Sequence, residues 1–559
     1  MPSTNGMRDS IRMESSGRQA DDARLLVIGY RGTLRPSHSE NLPPAMETLL
    51  EPWLAQAWHL LKQRIPQQHR IFQGEPVPLE ALLPQLQDRL VGILTQAMVA
   101  IGAASGPSAD DITREFPLLK PLIRNAVSEW VGAISTFLQR LHRDQEWLST
   151  ALQCQPLPPI QSVSGTASDT HDGGHSVLRV CFRGGGCLYY KPRPLTGEWL
   201  WHGLLDAVAR FDPQLHLPAA RVFTSDAKSR YGWAESVFPE ENCFSHSSDA
   251  RPPAAVDYWH AAGSLLCLAQ HTRLTDLHLA NIVATPSGPA VTDAESFATP
   301  SLDRSPGDRS SQQQTVLSDA VDAIFSTGLL PRKSLSTLPD VSGLFGHAAP
   351  VSAVRLPAWS LSSDGRYQLI SGGAELVDHG NAPLHTKPLA MLPQMLSGYR
   401  HAAELLIRAR KSLLSPDSHW LAVLERLHAP RFVLRDTLTY GLLLSRSLEP
   451  QYLRSCYRRR NVLLAELQSH SRQGLPAALL RAELAAILRL HIPRLTILPG
   501  SITLATGSGR VIARRFTALT PAQSVFMSIE TLSSESIDNL HVPALLAAIL
   551  SPALSRMSP

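Results

Sequence analysis

The chain has 559 residues, of which 43% are hydrophobic and 18% charged, so a packed globular protein is expected. At roughly 100–200 residues per domain, this length predicts two to four domains or subdomains. The net charge of +4 is too small to indicate nucleic acid as the main partner. The basic run Arg454–Arg460 is interpreted as a solvated helix face.

The N-terminal residues, the apolar stretches and the cysteines bear on the cellular compartment. Residues 1–24 are polar, lack the apolar core of a signal peptide and are predicted to be a disordered tail. No stretch reaches 18 apolar residues without a charge, so no membrane span is expected. The six cysteines form neither a CxxC pair nor a zinc-like cluster, and we predict reduced thiols in a cytoplasmic protein.

The first long segment, residues 25–155, is predicted to be a helical N-terminal region. Apolar residues recur there at helical spacing, and Asp144 lies off their stripe. The stripe consists of Val127, Trp130, Val131, Ile134, Leu138 and Leu141.

After the prolines at 156, 158 and 159 the pattern changes to short strands. The strands predicted up to residue 300 include two hairpins, the first turning at Gly184–Gly186. The predicted elements are strands at Ser176–Phe182, Cys187–Tyr190 and Tyr231–Phe238, a helix at Ala254–Gln270, and small strands at Ile282–Ala284 and Ala290–Thr292.

The remainder is predicted to be mainly helical. Residues 301–314 are predicted to be a surface loop, and helices follow to about Leu490. A few strands are expected around Ile502–Phe516, and a short buried helix within Val542–Leu554.

The densest polar pattern lies between Asp276 and Asp293. Asn281 follows Asp276 by five residues, and Asp293 follows Asn281 by twelve. Kinase-type phosphotransferases place a catalytic Asp five residues before a metal-binding Asn, with a second metal-binding Asp further on. Each residue alone is also typical of turns, but the joint spacing favours phosphoryl transfer with ATP and Mg²⁺.

A lysine at the end of a strand is the second candidate element of this chemistry. Lys191 follows the apolar strand at 187–190, which suits contact with the α- and β-phosphates of ATP. In isolation a lysine at this position is more often an ordinary strand-end lysine. Gly184–Gly186 is interpreted as a hairpin turn and not as a phosphate loop.

Together these segments resemble the dehydratase domain of class II lanthipeptide synthetases, the LanM-type enzymes, from about Leu49 to Leu532. The resemblance includes Asp169-Thr170-His171, Lys191-Pro192-Arg193, Tyr231–Glu235, Thr275–Ile282, Asp293-Ala294-Glu295, Ser326–Pro331, Asp340–Leu344, Arg431–Thr437 with Tyr440, Ala482-Glu483 and Ile492-Pro493.

The resemblance implies a lipid-kinase-like, two-lobed α+β fold and a two-step reaction. A Ser or Thr of a ribosomal precursor peptide is phosphorylated from ATP, and the phosphate is then eliminated to leave a dehydroamino acid. The implied sites are Asp276 and His278 for catalysis of phosphorylation, Asn281 and Asp293 for Mg²⁺, Asp169, His171 and Lys191 for the phosphates, and Arg431 and Thr437 for elimination.

The same resemblance suggests a division of the chain. Residues 156–300 would form the kinase-like core, with a β-rich lobe and the catalytic loop. Residues 301–535 would form a helical lobe with the elimination residues, and residues 536–559 a tail. We expect no cyclase domain, so thioether rings would be closed by a separate cyclase or not at all.

Three positions depart from the family pattern. Ala280 stands where Glu is frequent, Asp436 where Pro is usual, and His491 where the family has Asp. Two alternative functions therefore stay open: a kinase-like phosphotransferase that stops at the phosphorylated product, and a non-catalytic peptide-binding subunit of a larger complex.

Overall fold

The computed structural model describes most of the chain and combines helices with several small sheets, as expected for an α+β protein. The described residues are 34–36, 42–101, 109–165, 173–215, 217–225, 230–237, 258–300, 312–331, 341–345, 355–361, 367–376, 391–435, 437–469 and 475–550. No helix in these ranges is both long enough and apolar enough to cross a membrane.

Helices dominate both ends of the described chain. The N-terminal helices are α1 (Pro44–Arg64), α2 (Leu83–Ile101), α3 (Ala109–Glu115) and α4 (Leu119–Ala151). The central helices are α5 (Thr196–Ala209), α6 (Tyr258–His271), α7 (Gln312–Ser326), α8 (Leu392–Leu413) and α9 (His419–Arg426). Those that follow are α10 (Thr437–Ser447), α11 (Pro450–Leu453), α12 (Cys456–Ser469), α13 (Ala477–Ile487), α14 (Pro521–Glu530), α15 (Ser534–Ser536) and α16 (Val542–Ile549).

Within the described ranges the strands form five antiparallel groups. The largest sheet has the order β4-β5-β6-β8-β7, from β4 (Ile160–Gly165), β5 (Leu178–Phe182), β6 (Cys187–Lys191), β7 (Val222–Phe223) and β8 (Gly232–Glu235). Smaller groups are β2 (Ile71–Phe72) with β3 (Glu75–Pro76), β9 (Ile282–Thr285) with β10 (Gly288–Val291), β1 (Leu34–Pro36) with β12 (Tyr367–Leu376) and β11 (Arg355–Leu361), and β13 (Leu495–Ile497) with β14 (Leu504–Thr506) and β15 (Val511–Ala513).

Two large hydrophobic cores organise these elements. The first joins the N-terminal helices, the five-stranded sheet and helices α10 to α13. The second joins helices α5 to α9 with the C-terminal helices α14 and α16. Strand β6 contributes to the first core and helix α5 to the second, so the short connection from Lys191 to Thr196 passes from one core to the other.

Several expected elements are confirmed. Both predicted hairpins form, and the three glycines 184–186 all have positive φ in the first of them. The apolar stripe of α4 is buried, strands form near residues 502–516, and a helix spans Val542–Ile549. The tail at 1–24 and residues 301–311 of the predicted loop lie outside the described residues, whereas residues 312–314, also predicted to be loop, begin helix α7.

Two predictions about secondary structure and burial were wrong. Residues 355–361 and 367–376, expected to be helical, pair as β11 and β12. Asp144 is fully buried, because it faces the sheet and accepts hydrogen bonds at 2.9 Å from Tyr231 Oη and Trp233 Nε1.

Two predictions about side chains also require correction. Arg459 is buried and not part of a solvated face, since its guanidinium donates to the backbone oxygens of Ser447 and Leu488. Cys181 and Cys187 are joined in a disulfide and are not free thiols. Their pairing follows from the hairpin, which sets them opposite each other with Cα atoms 4.1 Å apart.

Candidate functional site

The loop after helix α6 carries Asp276, His278 and Asn281. Asp276 has a positive φ of 62°, a backbone conformation that costs free energy in a residue other than glycine and is common at functional sites. The loop is fixed by neighbouring chain segments, since Leu277 N donates to Thr327 O at 2.8 Å and Leu279 N donates to Val341 O at 2.9 Å.

Two glycines allow these segments to approach the loop. A Cβ atom added to Gly343 would lie 2.3 Å from Leu277 O. Gly328 has a φ of 82°, and a Cβ there would lie 2.9 Å from Leu277 N. Only glycine fits at positions 328 and 343, and this allows the stretches 326–331 and 341–344 to pack directly against the backbone of the loop.

The hairpin β9–β10 brings Asn281 next to the segment that carries Asp293. Thr292 N donates to Asn281 O at 3.0 Å across the open end of the hairpin. The Asn281 side chain donates from Nδ2 to Asp276 O at 2.8 Å, and the same atom lies 3.3 Å from His278 Nε2. Asp276, His278, Asn281 and Asp293 therefore occupy one compact region.

Lys191 reaches the same region from the other core. Its Nζ donates to Thr292 O and lies 3.3 Å from Glu198 Oε1 in helix α5. Arg193 extends the contact, because its Nη2 lies 2.6 Å from Glu198 Oε1 and 2.8 Å from Asp293 Oδ2. The strand-end lysine is thus linked to the metal-site candidate through buried ion pairs.

Helix α5 begins against the Asp293 segment without a gap. A Cβ atom added to Gly197 would lie 2.0 Å from Ala294 O, closer than any Cβ can come to an oxygen. Glycine at this position lets the first turn of the helix lie directly on the backbone between Asp293 and Glu295, which fixes Glu198 relative to both.

Glu295 connects this network to Arg431. Arg431 Nη1 lies 2.7 Å from Glu295 Oε1 and 3.4 Å from Asp276 Oδ2, and the backbone N–H of Arg431 donates to Glu295 O at 2.8 Å. Arg494 Nη2 lies 3.3 Å from the second oxygen, Glu295 Oε2. The predicted phosphorylation and elimination residues Asp276 and Arg431 are therefore in direct contact.

Burial and charge oppose each other at these carboxylates. Burial alone would raise the pKa of Glu198, but Arg193 and Lys191 outweigh it and lower that pKa to about 2. Burial raises the pKa of Asp293, and the nearby Glu295 adds to this rise although Arg193 partly offsets it. Asp293 is therefore a carboxylate that an additional cation would stabilise in its charged form.

The oxygen donors near Asp293 fit Mg²⁺. Asn281 Nδ2 donates to Asp276 O, which leaves the amide oxygen of Asn281 as an acceptor, and the hairpin brings Asn281 next to the segment that carries Asp293. Within the described ranges, no three or more His, Cys, Asp or Glu side chains gather to hold a metal. Mg²⁺ typically takes one or two carboxylates together with waters and substrate phosphates, so an amide and one carboxylate are sufficient.

Among the predicted site residues that the structure describes, Thr437 is not part of this network. Thr437 is the first residue of helix α10, and none of the contacts described above reaches it. Arg435, between Arg431 and Thr437, is held by Glu483 at 2.8 Å. Asp169 and His171 lie outside the described residues, as does Asp436.

Sequence reasoning gave no role to Glu198, Arg193, Glu295 or Arg494. A signal for Glu198 exists, because kinases pair their strand lysine with a glutamate from the next helix, and Glu198 lies seven residues after Lys191 in such a helix. Nothing in the spacing indicates Arg494, which approaches Glu295 only through the tertiary fold.

Comparisons with known proteins place the chain in a family. Residues 116–497, more than half of the chain, match the family model described as "Domain of unknown function (DUF4135)". The chain is also 22% identical over 411 residues to the lacticin 481/lactococcin biosynthesis protein LcnDR2 of Lactococcus lactis subsp. lactis. The match covers 70% of this chain and 42% of that relative, so the chain spans less than half of the relative's length.

Proposed function

Given that the chain belongs to the DUF4135 family, we propose that it is an ATP-dependent lanthipeptide dehydratase. It phosphorylates Ser or Thr of a ribosomal precursor peptide and then eliminates the phosphate to give dehydroalanine or dehydrobutyrine. The similarity to a protein named for lacticin 481 and lactococcin biosynthesis supports a role in maturing such peptides.

One observation carries the proposal: the Lys191–Glu198 ion pair and the Asp276, Asn281 and Asp293 group form a single connected network. Kinases combine a strand lysine paired with a helix glutamate, a catalytic aspartate, and an Asn and Asp for the metal. The two hydrophobic cores that meet between Lys191 and Thr196 support a two-lobed, lipid-kinase-like arrangement.

In the first step Asp276 accepts the proton of the peptide hydroxyl, whose oxygen attacks the γ-phosphorus of ATP as the bond to ADP breaks. When bound, Mg²⁺ would neutralise the β- and γ-phosphate oxygens. Asn281 and Asp293 would hold the ion, His278 would brace Asn281, and Lys191 would contact the phosphates. Asp169 and His171 remain proposed phosphate contacts.

In the second step the α-proton of the phosphorylated residue passes to a base. The Cα–Cβ double bond forms as the Cβ–O bond breaks, and the phosphate leaves with the electron pair. A guanidinium stabilises the charge that develops on the departing phosphate, and Arg431 is suited to this because it lies against Asp276. Thr437 is proposed to assist from the start of helix α10.

A phosphotransferase that stops at the phosphopeptide is the second candidate. It is favoured by the position of Thr437 outside the network that joins Asp276 and Arg431. The test is to incubate the full chain with ATP, Mg²⁺ and a Ser/Thr-containing precursor peptide encoded beside its gene, and to weigh the product. Loss of water supports the dehydratase, gain of phosphate supports the second candidate, and no change of mass rejects both.

A further inference from the structure

The Glu295 carboxylate holds guanidiniums from three parts of the chain, among them Arg193, whose Nε lies 3.5 Å from Glu295 Oε2. Arg431 contacts one oxygen at 2.7 Å and Arg494 the other at 3.3 Å. Arg431 and Arg494 therefore converge on one anionic group, and guanidiniums that converge in this way suit an oxyanion such as phosphate.

Both arginines are anchored through their backbones. Arg431 N donates to Glu295 O at 2.8 Å, and Arg431 also forms a β-bridge with Thr496. Arg494 O accepts from Gly507 N at 2.8 Å, which ties it to the sheet β13–β15. Neighbouring positions of one small sheet therefore direct both side chains to Glu295, and this fixed arrangement reduces the entropy lost when an anion is bound.

The stretch of sequence around Arg494 is basic. From Leu484 to Ile529 the sequence contains no Asp or Glu, and its arginines are 489, 494, 510, 514 and 515. The side chains of Arg431 and Arg494 are 12% and 13% exposed, so they lie at the edge of the buried network, within reach of a ligand from solvent. Low exposure also strengthens their attraction for an anion.

We infer that Arg494 is a second phosphate-binding residue, which together with Arg431 holds the phosphate of the phosphorylated peptide through the elimination step. The inference rests on the proposed function. As the Cβ–O bond breaks, negative charge grows on the phosphate, and each guanidinium donates charge-assisted hydrogen bonds to its oxygens. The α-proton goes to a base and the electron pair of the broken bond leaves with the phosphate, so Arg494 itself neither gains nor loses a proton.

The test measures binding and product together. Inorganic phosphate is titrated calorimetrically into the full chain with ADP and Mg²⁺ saturating, which represents the state after phosphoryl transfer. The ratio of phosphorylated to dehydrated peptide is then followed by mass spectrometry. For Arg494→Ala we expect phosphate binding to weaken about tenfold or more, and the product ratio to shift toward phosphopeptide by a similar factor.

Arg489→Ala is the matched control, because Arg489 is exposed, belongs to the same basic stretch and lies five residues earlier. Arg494→Lys keeps the charge but loses the two-pronged geometry, so it should fall between the parent and Arg494→Ala. If Arg494→Ala fails to fold, the lysine variant decides instead.

The inference would be overturned if Arg494→Ala and Arg489→Ala both kept the phosphate affinity and product ratio of the parent. It would also be overturned if both variants lost affinity equally, because that would indicate a non-specific effect of positive charge. If the parent yields no dehydrated peptide, the elimination step of the proposed function fails. The phosphate affinities of the variants then decide by themselves whether Arg494 binds phosphate.

Discussion

Asp293 is half-buried beside Glu295, and Arg193 Nη2 lies 2.8 Å from its Oδ2. We predict that Asp293→Asn lowers phosphoryl transfer by about a hundred- to thousandfold, because the charge that would hold Mg²⁺ is lost. ATP consumption and phosphopeptide formation measure the effect. Asp538→Asn is the control, since Asp538 forms an exposed pair with Arg400. Undiminished turnover in Asp293→Asn, or parental turnover in EDTA, would reject the metal site.

For Arg431→Ala we predict that phosphopeptide accumulates, because the departing phosphate loses a charged partner worth roughly 3–4 kcal/mol in the transition state. Arg431 contacts Asp276 at 3.4 Å, so phosphorylation should slow as well, but less than elimination. Thr437→Ala should act in the same direction more weakly. Time courses of product mass measure both steps, and a parental ratio of phosphorylated to dehydrated peptide in Arg431→Ala would exclude its role in elimination.

The residues of the site were partly accessible from the sequence. Asp276, Asn281 and Asp293 are close along the chain, so their spacing alone suggested a common site. Arg431 was suggested only by a family pattern, while Glu295 and Arg494 meet across 199 positions and leave no local signal. The burial of Asp144 was not predicted, because its two hydrogen-bond donors lie in a strand segment that is distant in the sequence.

Among the elements, helix α5 positions Glu198 because its first turn touches the backbone at Ala294. We predict that Gly197→Ala displaces the Asp293–Glu295 segment and lowers activity about a hundredfold, since displacements near 1 Å at reacting groups have effects of this size. The strain should also cost about 1–3 kcal/mol of stability. ATP consumption and thermal unfolding measure the two effects.

Gly132→Ala is the control for this element. Gly132 lies in helix α4, where an added Cβ meets only Arg64 Nη1 at 3.8 Å. Alanine favours a helix over glycine by roughly 1 kcal/mol, so this variant should keep its activity and be equally or more stable. Full activity in Gly197→Ala would show that the helix does not depend on that close contact.

The elements that the sequence predicted well have strong local patterns. Helix α4 has a clear helical period of apolar residues, and the hairpin at 178–191 has a glycine turn between two apolar strands. Strands β11 and β12 were missed because residues Arg355–Leu361 and Tyr367–Leu376 mix polar and apolar residues without strict alternation. Their strand conformation depends on pairing with each other, which the sequence pattern does not reveal. The disulfide in the β5–β6 hairpin likewise depends on register, which cysteine spacing alone does not reveal.

For the whole molecule, buried neutral histidines predict a loss of stability in acid. Burial lowers the pKa of His271 to about 3 and that of His428 to about 4, whereas an unfolded histidine titrates near 6.5. Below pH 6.5 the unfolded chain binds protons that the folded chain does not, so each histidine costs up to about 1.4 kcal/mol per pH unit until its folded pKa is reached.

We expect His428→Gln, which can still donate to Phe297 O, to lose less thermal stability between pH 7 and pH 5 than the parent. His59→Gln is the control, because His59 is exposed on helix α1. Thermal midpoints across this pH range measure the difference, and parallel curves for the parent and His428→Gln would contradict the assignment.

Each of the two hydrophobic cores of the described chain combines segments that are far apart in the sequence. The first core takes in the N-terminal helices, the sheet and residues from Tyr440 to Ile492, while the second takes in helices on both sides of that stretch. Composition and periodicity therefore predicted an α+β protein with helical ends. They could not predict that two cores meet beside Lys191, since that depends on long-range contacts.

The most direct test of the central claim is the mass of a Ser/Thr-containing precursor peptide after incubation with the full chain, ATP and Mg²⁺, with Asp276→Asn run alongside. Asp276 is proposed to accept the hydroxyl proton, so its variant should leave the peptide unmodified. We predict that the parent removes one water for each modified residue, with phosphopeptide as a transient species. A peptide that keeps its phosphate, or the same product from parent and variant, would contradict the proposed dehydratase.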